Sequence, residues 1–135
     1  MRRWSSRVLL SFLALTPGLA AADWTRVGEG DYIHDAYADR QAIRRLGDNL
    51  TMPGLYDFKK ADFTPQGLAF RSTVVVREYD CRGRRVRMLS FTDYAEPMGA
   101  GLVVAQMQRT GRWEAVVEGA LDERFLQVAC DSARS

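Results

Sequence analysis

At 135 residues, with 19 Lys and Arg against 17 Asp and Glu, the chain is long enough for one core and too evenly charged for the broad basic field that nucleic acid or an anionic membrane selects. Two cysteines and one histidine are too few soft ligands for a metal centre. No metal and no cofactor are expected.

The first segment reads as an export signal. Arg2, Arg3 and Arg7 make a basic start, residues 8–15 are apolar, and the stretch from Thr16 to Ala22 ends in small residues, the three-part layout of a secretory leader. Thr16-Pro17-Gly18 breaks the apolar run short of the roughly 20 residues that a membrane span needs. Ala20 and Ala22 occupy the small positions read by a signal peptidase, so the cut is expected after Ala22, with Ala20 as the alternative. Residues 1–22 are then the signal, and residues 23–135 form one mature domain beginning Asp23-Trp24. Without the three leader arginines, 16 basic residues face 17 acidic ones, and any anion site must come from local clustering. No cysteine follows the small residues, so the exported protein, periplasmic or secreted, is expected without a lipid anchor.

Short alternating segments punctuated by glycine turns follow, the pattern of an antiparallel sheet. Strands are predicted at 24–27, 32–36, 50–58, 68–79, 84–94, 102–108 and 113–117. In the third, Leu50, Met52, Tyr56 and Phe58 share a face, and in the fourth Phe70, Val74 and Val76 do; period two places both sets in a common core. Pro53-Gly54 predicts an edge or a bulge. In the fifth, Val86 and Met88 point one way and Leu89 and Phe91 the other, which means either a bulge or a strand covered on both faces. Asp39 is expected to cap a helical turn over 40–45 that Gly47 ends.

A helix is predicted over 121–130, with Leu121, Phe125, Val128 and Ala129 on one stripe and Asp122 and Glu123 at its positive end. Two cysteines in an exported chain are most simply a disulfide. Joining Cys81 to Cys130 closes a loop of about 50 residues and ties this helix to the sheet, contributing about 4 kcal/mol in the chain-entropy model.

The order and spacing of several pieces resemble the surface-adhesin E-like family of small exported bacterial proteins: Trp24-x-x-Val27, Tyr37-Ala38-Asp39 with Ile43-Arg44-Arg45 and Gly47, Tyr79-Asp80-Cys81, Met98-Gly99 before Val103-Val104, Trp113-x-x-Val116 with Gly119, and Cys130. The resemblance implies an α+β fold, a twisted antiparallel sheet of about six strands with a C-terminal helix packed on it and tied by the Cys81–Cys130 disulfide. It also implies a binding protein.

Catalytic patterns are missing. His34 needs Asp35 or Asp80 as a partner to act as a base and reads more simply as a surface or edge strand residue. Neither nucleophile elbow, zinc motif nor phosphate loop occurs. The candidate ligand site is the turn carrying Arg82, Arg84, Arg85 and Arg87, with Arg85 and Arg87 on one face. Guanidinium forks suit sulfate, phosphate or carboxylate on an extracellular polymer, whereas the structural alternative is charge protecting an edge strand. Trp113, on an alternating strand, is expected in the core. The sequence thus reads as a non-enzymatic exported binding module for a protein or an anionic polymer, with no nucleic acid partner. The alternative is a periplasmic inhibitor that inserts loop 59–67 into a secreted hydrolase.

Overall fold

The computed structural model describes residues 22–30 and 33–133; apart from Ala22 the expected signal lies outside these, as do Asp31 and Tyr32. Eight strands among the described residues form one antiparallel sheet: β1 Trp24–Gly30, β2 His34–Asp39, β3 Arg44–Leu46, β4 Asn49–Phe63, β5 Ala69–Asp80, β6 Arg85–Tyr94, β7 Val103–Gln108 and β8 Glu114–Ala115. Their order is β1-β2-β4-β5-β6-β7, with β3 beside β4 and β8 beside β6. Helix α1, Leu121–Ser132, ends the fold, and Cys81 bonds Cys130 with their Cα atoms 5.9 Å apart. This is the α+β architecture read from the sequence.

Helix α1 crosses β1, β4 and β5. Its buried residues Phe125, Leu126, Ala129 and Cys130 pack on Ala36, Ala38, Met52, Tyr79 and Val86. Burial of a side chain such as Phe125 contributes about 2 kcal/mol. Small residues let the helix come close: a Cβ on Gly54 would meet Phe125 Cε1 at 3.1 Å. The predicted stripe missed Leu126, which is 2% exposed, and included Leu121 and Val128, which are only partly buried.

Several local expectations are corrected by pairing. Pro53-Gly54 makes no bulge, for β4 keeps its register against β5 through both residues, and the edge is only local, at Pro53. On its other side β3 pairs with Asn49, Leu50 and Thr51, and β2 pairs from Gly54 onward. Pro53 falls in the gap, where its missing N–H breaks no ladder. Val74 and Val76 stand opposite Leu55 and Pro53, on the face away from Met52 and Tyr56, so the common core does not include them. Phe70 does reach Phe58, their ring centroids 5.6 Å apart.

The mixed habit of β6 is a bulge: Val76 pairs with Ser90 and Arg77 with Met88, leaving Leu89 as the extra residue. Asp39 caps as expected, its Oδ1 accepting from the N–H groups of Gln41 and Ala42 at 3.1 and 3.3 Å. The turn it starts stops at Ala42, and Arg44–Leu46 pairs with β4 as a strand instead. The last predicted strand shrinks to Glu114–Ala115.

The face opposite α1 is covered differently at its two ends. Around Leu55 and Val74 it is closed by the 3-10 turn Pro97–Gly99. Ser72 Oγ donates to Glu96 O at 2.6 Å and accepts from Gly99 N at 2.8 Å, while Asp57 Oδ1 accepts from Met98 N at 2.8 Å. Toward the disulfide the same face carries charged side chains and no helix.

Candidate functional site

The four candidate arginines lie on and after the turn that joins β5 to β6. Asp80 organises this turn: its Oδ1 accepts from Gly83 N at 2.9 Å and its Oδ2 from Arg85 Nε at 2.7 Å. Those two donors, the Gly83 N–H first, hold the Asp80 carboxyl below its ordinary range. A Cβ on Gly83 would stand 2.5 Å from Asp80 Oδ2, so glycine is needed for this close approach. The left-handed residue of the turn is Arg84, with φ 48°.

The turn is tied to α1 twice, through Cys81 to Cys130 and through Arg84 Nη2 to Glu123 Oε2 at 2.5 Å. Arg85 and Arg87 share a face, as expected from their spacing. Across the pairing of β5 with β6, Arg87 donates from Nε to Glu78 Oε2 at 2.6 Å. Burial raises the Glu78 pKa, yet the hydrogen bonds from Arg87 and Asn49 outweigh it and hold the carboxyl below its ordinary value.

Trp113 is half-buried and outside the core cluster, contrary to the sequence expectation. Its indole lies against both arginines, with Arg85 Cζ 4.6 Å and Arg87 Cζ 4.4 Å from the ring centroid. A cation over an indole is attracted by the ring quadrupole. Each guanidinium is therefore held by a carboxylate at Nε and by an aromatic ring. β6 is an interior strand, with β5 on one side and β7 and β8 on the other, so edge protection does not account for these charges.

An open groove of about 990 Å³ runs between this turn and the β3–β4 turn. Arg82 and Arg85 line one side, Arg45 and Asp48 the other, and Cys81 and Ala133 also border it. Among the described residues neither Arg45 nor Arg82 forms an ion pair. Arg84 and Arg87 do not line this groove. Arg45 was placed by the sequence in a helical turn; only the β3–β4 hairpin brings it here, and no local pattern announces that.

His34 belongs to β2, an interior strand, rather than to an edge. Its ring packs edge-on against Tyr56 and Phe58 at 4.8 and 5.7 Å. Asp35 is engaged by Arg26 at 2.9 Å, whose hydrogen bond lowers its pKa. Asp80 lies next to Tyr79, which pairs with Leu50, while His34 pairs with Phe58, about 30 Å away along β4. Asp80 is thus out of reach of His34, while Asp35 is adjacent to it in the chain and feels its charge. Among the described residues no cluster of three or more His, Cys, Asp or Glu gathers to hold a metal ion, and no helix is long and apolar enough to cross a membrane.

Comparison with curated protein sequences gives no match. Among solved structures, Haemophilus influenzae protein E superposes with a TM-score of 0.67 at 15% identity, over 91% of this chain and 95% of that one. A second crystal form of the same protein gives 0.64 at 15% identity, covering 74% and 83%. Protein E from non-typeable Haemophilus influenzae gives 0.65 at 14%, covering 91% and 85%. These likenesses establish a shared fold. The family profile described as surface-adhesin protein E matches residues 24–131, and the chain belongs to that family.

Proposed function

We propose that this protein is an exported, non-enzymatic binding module of the adhesin type, and that its arginine-lined groove receives anionic groups of an extracellular polymer. In this reading residues 1–22 are removed, residues 23–135 are the working domain, and no lipid anchor is added. The observation that carries it is the pair Arg45 and Arg82, which face a groove of about 990 Å³ with no ion-pair partner among the described residues. Arg84, Arg85 and Arg87 next to them are each matched by a carboxylate. Family membership supports the binding class, and the interior position of β6 weighs against edge protection as the reason for Arg85 and Arg87.

The test uses the mature protein and immobilised heparin as the sulfated polymer. Binding is expected at low salt and should weaken as salt rises through 0.1 M, where the Debye length is about 10 Å. Arg45→Ser with Arg82→Ser should abolish most of it with the melting temperature unchanged. Wild-type protein that binds no anionic polymer at low salt overturns the reading.

A second reading, inhibition of a secreted hydrolase, draws on the tip of the β4–β5 hairpin. Residues 59–63 are exposed, Phe63 and Leu68 are 61% and 53% exposed, and the tip is closed by Gly67 N donating to Thr64 O at 2.8 Å. A rigid exposed loop is the form such an inhibitor presents. Stoichiometric co-purification of a hydrolase, lost on Phe63→Ser, distinguishes it.

A further inference from the structure

The two rows of guanidiniums are not equivalent. In the groove, Arg45 and Arg82 have no carboxylate partner among the described residues. Next to it, Arg85 and Arg87 are each bound at Nε by Asp80 and Glu78 and packed on Trp113. Arg85 belongs to both sets, since it lines the groove and touches the indole. Arg87 follows two residues along the same strand face, about 7 Å farther on.

We infer that the site takes a linear acidic polysaccharide over at least two anionic units, one in the groove at Arg45 and Arg82 and the next along Arg85 and Arg87, with Trp113 as the positioning residue of the second subsite. This rests on the reading proposed above and adds the ligand's form and direction.

Two observations favour a polysaccharide over a nucleic acid. Two guanidiniums already occupy the indole of Trp113, so it offers no ready platform for base stacking. The Nε edges are taken by Glu78 and Asp80, and among the described residues neither arginine donates a hydrogen bond from Nη. Such donors reward anions spaced along a chain, one hydrogen-bonded group at a time.

Linking two subsites makes the second contact intramolecular, so affinity should climb with length by on the order of a hundredfold and then level off. The experiment measures heparin-derived di-, tetra- and hexasaccharides, a uronate tetrasaccharide without sulfate, and a single-stranded oligonucleotide on the mature protein. The expected result is that the tetra- or hexasaccharide far exceeds the disaccharide. Trp113→Ala should remove that gain, and Trp113→Phe should restore part of it. A melting temperature close to the parent's shows that the variant is folded; if it is not, the wild-type length series decides alone. The uronate arm distinguishes carboxylate from sulfate as the group read.

Equal affinity at every length overturns this inference and leaves the groove reading standing. Tighter binding of the oligonucleotide than of the hexasaccharide overturns the assignment to a polysaccharide. Failure of every oligosaccharide and of the immobilised polymer removes both.

Discussion

Arg87 and Glu78 form an ion pair at 2.6 Å across β5 and β6, with the glutamate side chain 4% exposed and the arginine 29% exposed. A carboxylate so placed depends on its partner, because losing a partner leaves an uncompensated charge that water cannot reach. Arg87→Met should destabilise the fold by about 2 kcal/mol, below the range for fully buried pairs since Arg87 is partly solvated. Replacing Glu78 by Met in the same chain should recover most of the loss. Equilibrium urea unfolding of the single and double variants checks it, and additive losses would contradict the pairing.

Acid should weaken the protein in a defined direction. Glu78 and Asp80 have folded pKa values below their ordinary 4.5 and 3.8. The stability they contribute is present in full above the unfolded values and is lost as pH falls through the lower folded ones. Unfolding free energy should thus be flat near neutrality and fall below about pH 4. Glu78→Gln should show a shallower acid slope than the parent, and a slope that is unchanged would sink the assignment.

Reduction of Cys81–Cys130 releases a 49-residue separation. The chain-entropy model assigns such a loop about 4 kcal/mol, which at several degrees per kcal/mol lowers the melting temperature by well over 10 °C. Calorimetry with and without reductant measures it. A melting curve indifferent to reductant, or two titratable thiols in the native protein, would be the contrary result.

Gly54 should not tolerate a side chain. Gly54→Val places methyl groups where Phe125 already stands, and overpacking of this kind destabilises by about 1–3 kcal/mol. Gly54→Ala with Phe125→Leu should lose less than the two changes made separately, because the shorter side chain yields the space. Thermal melts of Gly54→Val, of the two single changes and of their combination decide it.

The mature protein recovered from the cell envelope should begin at Asp23 and carry no acyl group, as the leader ends in small residues and supplies no lipid-accepting cysteine. Intact mass reads this directly: a retained leader or an added diacylglycerol contradicts it.

Local chemistry accounts for what was legible in the residues themselves. Period-two alternation marks strands, Asp39 caps a turn and acids open α1; each signal lies within a few neighbours and survives whatever the rest of the chain does. Arg85 and Arg87 were placed on one face by the same short-range rule. Their partners were not, because strand register alone brings Glu78, Asp80 and Trp113 beside them.

Register also decides which apolar set faces the helix, since one residue of offset sends a side chain to the opposite face. For that reason Val74 and Val76 left the expected core. Arg45 reaches the groove through the β3–β4 hairpin, which lies across it from the Cys81 turn. The strands and the helix follow from neighbours along the chain. Which charges meet, and where a ligand finds them, is decided by packing between segments far apart in sequence.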